Sequence, residues 1–282
     1  MKKFSITLFA FLVTLCTQAQ ENSLLWKVSG KGLQQPSWLY GTYHLLCKDD
    51  IHFSPAALAA FDSAKALYLE IDMADSSFAP KLMRLAGPNP SYNLSNHMSP
   101  ADFQLFSRYV QDSFHLNPEV LVHLKPIVLM SMFISRSLDC PPSGVEQELM
   151  ALARKTGKPV EGLETVEEQM SVFGAVPDSV QLADIIRDIK DPASARARDK
   201  RFKENYEAGN ITALYDDLLE STAMAPYADI MVFQRNRNWI PVIEKAAASG
   251  THFFAFGAGH LGGEQGVINL LRKAGYTVVP VK

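Results

Sequence analysis

The stretch that decides the fold is "HFFAFGAGHLGGEQG", residues 252–266. An apolar run from Phe253 to Phe256 stops at Gly257, and His260 follows in a glycine-rich bend. A short, unbroken apolar run bounded by glycine reads as a buried strand. A matching segment, "SWLYGTYHLL" at residues 37–46, also runs aromatic, Gly, two residues, His, with Gly41 and His44. Glycine at these places permits a tight backbone path and the close approach of another group.

Working outward, "SLLWKVSG" before the first motif reads as its hairpin partner across the Gly- and Pro-containing "KGLQQP". "SPAALAAFDSAKA" has Ser54 as N-cap, Pro55 at the first helical position and apolar residues at helical spacing. "ALYLEIDM" follows as a strand. At the far end, a helix from about Glu264 to Ala274, ended by Gly275, leads into a last strand, "YTVVPV". Strand, helix, strand is the rhythm of an α/β fold. Between about residues 76 and 249 helical periodicity prevails, and "KPVEGL" is the strand-like exception. The expectation is a single α/β (α+β) domain over 20–282. Its mixed β-sheet core is built from 20–75 and 250–282 and flanked by helices, with a largely helical insertion at about 76–249.

The first 19 residues read as a cleaved signal peptide. Lys2 and Lys3 start it, "FSITLFAFLVTLC" supplies a short apolar stretch, and Ala19 offers a small residue for cleavage before Gln20. The stretch is shorter than the roughly 20 apolar residues of a spanning helix. Acylation at Cys16 is disfavoured by the bulky Leu15 beside it. No later segment reads as transmembrane, so the mature chain is expected to be secreted or periplasmic. Cleavage leaves Cys47 and Cys140, which an oxidising compartment allows to pair.

The chain carries 27 Lys and Arg against 30 Asp and Glu. Losing Lys2 and Lys3 makes it more acidic, and it offers no basic footprint for nucleic acid. Nothing in the composition fixes an oligomeric state.

Two histidines at matching strand ends point to a shared site, because ligands of open α/β sheets bind outside the ends of strands. In "LYLEIDM", alternation puts Leu67, Leu69 and Ile71 on one face and Tyr68, Glu70 and Asp72 on the other. An acid in an apolar strand is costly unless paired, which makes Glu70 a candidate partner. Two histidines and a carboxylate suit a divalent metal with open positions, and equally suit general-base hydrolysis by a neutral imidazole. In "FQRNRNWI", Arg235 shares a helix face with Asn238 or Trp239 and could hold an oxyanion. Arg237 reads as a solvated or paired residue. The N–H groups after His260, at the start of the following helix, are a second oxyanion candidate. "TVEE" is a capping box of Thr165 and Glu168, and Glu164 before it reads as structural. His52, His97, His115 and His123 have no partner motif and also read as structural.

On "LYGTYH", "YLEID", "GVEQELMALARKTGKPVEGLETVEEQ", "RNRNW" and "FAFGAGHLGGEQGVINLLRKAGYTVVPV", the chain resembles the TraB/PrgY/GumN family, which includes the Tiki proteases. The resemblance covers most of the mature chain. It implies a core related to the erythromycin esterase and ChaN-like group. It also implies that His44, His260 and Glu70 belong to the active site, and it brings a metal-dependent peptidase activity using Mn²⁺ or Co²⁺. The expected function is therefore an exported metal-dependent hydrolase with a peptide or protein substrate. His44 and His260 would hold the metal, Glu70 would be ligand or general base, and Arg235 would face the oxyanion. Two alternatives stay open: a metal-independent, esterase-like hydrolase, and a non-catalytic peptide- or haem-binding protein with Tyr43, His44 or His260 as axial ligands.

Overall fold

A computed structural model describes residues 22–138, 140–220, 223 and 225–282 of the 282-residue chain. The expected signal peptide, its cleavage point near Ala19 and Cys16 lie outside the described residues. In chain order the elements are β1 (Leu25–Gly30), β2 (Ser37–Thr42), β3 (Leu46–Cys47), α1 (Pro55–Ser63), β4 (Leu67–Ile71), α2 (Phe78–Ala86), α3 (Pro100–Phe114), α4 (Pro126–Ser137), β5 (Pro142–Ser143), α5 (Val145–Thr156), β6 (Val160–Glu164), α6 (Val166–Ala175), α7 (Asp178–Lys190), α8 (Pro192–Glu207), α9 (Ile211–Glu220), α10 (Gln234–Ser249), β7 (Phe253–Gly257), α11 (Val267–Lys273) and β8 (Tyr276–Val281).

Among the described residues, six strands form one mixed sheet in the order β6-β4-β7-β2-β1-β8, which is the α/β class expected. The strands β6, β4, β7 and β2 run parallel, while β1 is antiparallel to both β2 and β8. The apolar run of β7 explains its central place. Phe253 and Ala255 join Tyr40, Phe61, Leu67 and Leu69 on one face. Phe254 and Phe256 join Trp26, Leu39, Trp239 and Leu261 on the other. Both faces of β7 are thus withdrawn from water, as a parallel central strand requires.

Local chemistry sets the ends of several elements. Ser54 Oγ accepts the N–H of Ala57 at the start of α1, where Pro55 needs no donor partner. Thr165 and Glu168 close the capping box of α6. The edge strand β6, inside the stretch expected to be helical, completes the parallel part of the sheet against β4. A third apolar cluster, including Leu94, Phe106, Val110, Leu129 and Leu182, lies among α3, α4 and α7. Cavities of about 450 and 480 Å³ open in this helical part, lined by residues of α3, α4, α7 and α8 among others.

Cys47 and Cys140 form a disulfide across 93 residues of sequence. Beside it, β3 and β5 pair antiparallel, with Leu46 opposite Ser143, and Val145 N–H donates to Tyr43 C=O at 3.0 Å. Closing a loop of this length contributes about 4.6 kcal/mol by restricting the unfolded chain. No helix among the described residues is long and apolar enough to cross a membrane.

Candidate active site

The carboxyl ends of the four parallel strands converge, and each supplies a polar group. Glu164 ends β6, Glu70 is the next-to-last residue of β4, His260 closes the short turn after β7, and His44 follows β2 by two residues. In register, Thr42 of β2 lies opposite Gly257 of β7. The first motif's glycine makes room for the second motif. A methyl on Gly41 would stand 2.7 Å from Leu261 Cδ1 and 2.9 Å from Ala258 Cβ.

Strand alternation carries Glu70 to the same face as Tyr68, toward α10, and the carboxylate is almost fully buried there. Its Oε2 accepts from Arg235 Nη2 at 2.5 Å and Gln169 Nε2 at 3.1 Å. Its Oε1 accepts the N–H of Gly257 at 2.8 Å and lies 3.9 Å from His44 Nε2. Burial alone would raise the Glu70 pKa. The Arg235 guanidinium, with smaller help from His44, His260 and the Gly257 N–H, outweighs it and holds the carboxyl well below its usual range.

A π-helical turn, Asp229–Phe233, leads into α10, whose buried face carries Arg235, Asn236 and Trp239 together. Arg235 Nε and Nη2 donate to Glu164, Nη2 also to Glu70, and Nη1 to Met231 C=O and toward His260 Nε2 at 3.3 Å. All five of its N–H donors are therefore engaged within the protein. Arg235 has no donor left for an oxyanion, and its contacts make it the cation that holds Glu70 and Glu164. Glu164, read from sequence as structural, lies inside this cluster and also accepts from Trp239 Nε1 at 3.2 Å. Burial first, and then the nearby charge of Glu70, raise its pKa despite Arg235.

His260 is 7% exposed and packs on Trp239 with ring centroids 4.7 Å apart. Its Nδ1 meets Asn236 Oδ1 at 2.6 Å, while Asn236 Nδ2 donates to Gln265 C=O. Asn236 is thus the amide that reaches the site, and Asn238 faces solvent. Burial and the Arg235 charge push the His260 pKa down to about 3. His44 is the open member, with 63% of its side chain exposed. Its Nδ1 lies 2.7 Å from Glu146 Oε1, and the Glu146 carboxylate is the main cause of a pKa raised to about 9. Sequence reading missed Glu146, although the register around the Cys47–Cys140 bridge brings residues 145 and 146 beside His44.

The expected helix after His260 begins at Val267 rather than Glu264. The amides of Gly266 and Ile268 bond to the carbonyls of Gly263 and Leu261, so the loop's own backbone engages them. Asp72 caps the loop after β4 by accepting from Ala74 and Asp75 N–H. Arg237 pairs with Asp229 at the surface. His97 stacks on Tyr92, and His123 Nδ1 meets Tyr92 C=O, both away from the site.

The titrations fix a pH dependence of stability. His44 has a folded pKa near 9, above its unfolded value of about 6.5. Its contribution is full below pH 6.5 and is lost as pH rises through 9. His260, depressed to about 3, does the opposite: its contribution is present above pH 6.5 and lost as pH falls toward 3. Thermal unfolding should therefore be most favourable to the fold near pH 6.5. The alkaline decline is expected to be shallow, because water screens the open His44 ring, and to vanish in His44→Asn. An alkaline limb unchanged by that substitution would contradict the ion pair.

Whether these groups suit a divalent cation turns on donors and charge. A methyl on Gly257 would lie 3.3 Å from Glu70 Oε1, 3.4 Å from His44 Nε2 and 3.5 Å from His260 Cδ2, so the three side chains bound a common space. Each imidazole has its Nδ1 tied to a protein acceptor, the arrangement that turns Nε2 toward a metal. Once His44 gives up the proton that its pKa of about 9 lets it keep at neutral pH, Glu70, Glu146 and Glu164 outnumber Arg235, an excess of negative charge that a divalent cation would balance. Against this, no group of three or more His, Cys, Asp or Glu among the described residues is already spaced as a complete ligand set. Nε2 of His260 faces Arg235 instead. The donor types fit, with His44 and Glu70 as the available pair.

The sequence profile of the TraB/PrgY/gumN family matches residues 24–280. The chain is 23% identical to "Metalloprotease TIKI1" of Danio rerio, aligning 93% of the chain with 63% of that protein. It is 23% identical to "Metalloprotease TIKI homolog" of Amphimedon queenslandica, over 92% of the chain and 62% of the relative. An uncharacterized protein of Treponema pallidum (strain Nichols) is also 23% identical, over 90% and 82%. The chain thus spans less than two thirds of the length of the two TIKI relatives. No solved structure matches it.

Proposed function

Because the chain belongs to the TraB/PrgY/gumN family, we propose that it is an exported, metal-dependent hydrolase acting on peptide bonds. The observation that carries this is the convergence of His44 Nε2, Glu70 Oε1 and the His260 ring on the space beside Gly257. The metalloprotease names of two relatives give the reaction class, and the Cys47–Cys140 disulfide supports an oxidising compartment.

His44 and Glu70 would hold the cation, with His260 as third donor once its contact with Arg235 is released. A bound Mn²⁺ or Co²⁺ supplies a Lewis acid for a peptide carbonyl and lowers the pKa of a water. The rest is done by the chain. Arg235 keeps Glu70 ionised, so Glu70 serves as a ligand rather than as a proton acceptor, for which so acidic a carboxylate is poorly suited. Asn236 fixes the His260 ring. Substrate approaches from the His44 side, where the site meets solvent.

The test is calorimetry with Mn²⁺ and Co²⁺ on the mature protein and on a His44→Ala/His260→Ala double variant, alongside peptide hydrolysis with and without chelator. Saturable binding that is absent from the double variant, with hydrolysis lost to chelator and restored by metal, is expected. Hydrolysis indifferent to chelator would replace this reading with a metal-free one. That second reading has one observation in its favour: the His44–Glu146 pair has the contact of a base and its orienting acid.

A further inference from the structure

Glu146 stands 102 residues from His44 in sequence yet meets its ring nitrogen at 2.7 Å. It is the second residue of α5, in the first turn, where helix N–H groups favour a carboxylate. It is 6% exposed, and one oxygen, Oε1, receives both His44 Nδ1 and Thr42 Oγ1, the latter at 2.5 Å. Thr42 is itself 2% exposed at the end of β2. A buried acid with these partners is built into the frame: β2, the turn carrying His44 and the start of α5 are joined through one oxygen atom.

These segments are also aligned by contacts that do not involve the carboxylate. The Val145 N–H bond to Tyr43 C=O, the β3–β5 pair and the disulfide hold residues 43–47 beside residues 140–145. Glu146 is therefore not the sole tie between these segments, and Thr42 holds its Oε1 where it meets the His44 ring. Which nitrogen of an imidazole carries the proton is set by the hydrogen bond made by the other. An ionised carboxylate can only accept, so Nδ1 must carry a hydrogen, and the lone pair of neutral His44 is confined to Nε2. That atom is the one facing Glu70 Oε1 at 3.9 Å.

We infer that Glu146 is a positioning residue that fixes the His44 ring as the Nδ1–H tautomer and presents Nε2 to Glu70. The inference rests on the hydrolase reading above only for what His44 does with that lone pair. The deciding measurement is ¹⁵N-resolved imidazole NMR of the full mature chain at a pH above the His44 titration. Wild type is expected to show a single Nδ1–H tautomer whose proton exchanges slowly despite the open ring. Glu146→Met, which keeps length but removes the acceptor, should give mixed tautomers with fast exchange. Glu146→Gln, which keeps an acceptor oxygen, should restore the single form. Co²⁺ titration should show binding weakened about 10- to 100-fold in Glu146→Met.

An Nε2–H form in wild type, or an unchanged tautomer in Glu146→Met, would overturn the assignment. The wild-type spectrum decides even if Glu146→Met fails to fold. Absence of Co²⁺ binding by wild type would count against the metal reading of the site and leave the tautomer result to decide the role of Glu146.

Discussion

Replacing Arg235 with Met should cost about 3–5 kcal/mol of stability and remove the activity of the site together. Arg235 is 7% exposed and is the shared partner of two buried carboxylates, Glu70 and Glu164. Removing one member of a buried charged group leaves the others desolvated and unpaired, and that penalty exceeds what the pairing itself contributed. Here two acids would be left, together with a bare Met231 carbonyl and an indole face that now lies 4.9 Å from the guanidinium carbon. Both acids would be driven to protonate, so Glu70 would cease to be an anionic ligand at neutral pH. Arg235→Lys should rescue little. A single ammonium cannot reproduce the planar fork that meets Glu164 through two nitrogens while also reaching Glu70 and His260. Urea unfolding of wild type, Arg235→Met and Arg235→Lys is the measurement. A loss below about 1 kcal/mol in the Met variant would mean that the cluster relaxes or admits water, and that Arg235 does not organise it.

Gly257→Ala should do the reverse: abolish function while sparing the fold. The backbone of Gly257 has φ −46° and ψ 128°, a negative φ near the edge of the extended region and outside the left-handed region that requires glycine. Its methyl would enter the space bounded by Glu70 Oε1, His44 Nε2 and His260 Cδ2 at 3.3–3.5 Å. A side chain in that space denies it to a cation, a water or a substrate oxygen, whichever the reaction uses. The Gly257 N–H is retained, and Glu70 Oε1, which accepts it, has to give by only a few tenths of an ångström. The expected result is at least about a 100-fold loss of hydrolysis, roughly 2.7 kcal/mol in the transition state, with unfolding free energy within about 1 kcal/mol of wild type. Parallel assays of Co²⁺ affinity, peptide turnover and thermal unfolding test it. Full activity in Gly257→Ala would show that the chemistry takes place elsewhere.

Much of this arrangement was legible in the sequence because its signals are local. The apolar run before Gly257 announces a buried strand, and strand alternation alone separates Glu70 from Leu67 and Leu69. Both motif histidines follow strands whose parallel pairing brings their ends together. What could not be read depends on packing between distant segments. Glu146 looks like an ordinary acid in a first helical turn, and only the register around the disulfide brings it to His44. Glu164 precedes a capping box, which is a sufficient structural explanation by itself, and its approach to Arg235 requires β6 to lie at the sheet edge. On α10 the buried face carries Arg235, Asn236 and Trp239 and leaves Asn238 in solvent, a choice between two neighbouring amides that the sequence of the helix alone does not make.

The order of strands has a consequence for when the protein becomes reactive. β2 and β4 are made early, yet in the sheet they are not neighbours, because β7 lies between them. A chain still emerging from the ribosome can form the β1–β2 hairpin but has nothing to set His44 beside Glu70, and His260 does not yet exist. Such non-local pairing also makes folding slow, since distant segments must meet before any gain is realised. A site assembled in this way stays incomplete throughout synthesis, and a chain cut short before β7 and the turn that carries His260 never acquires it at all.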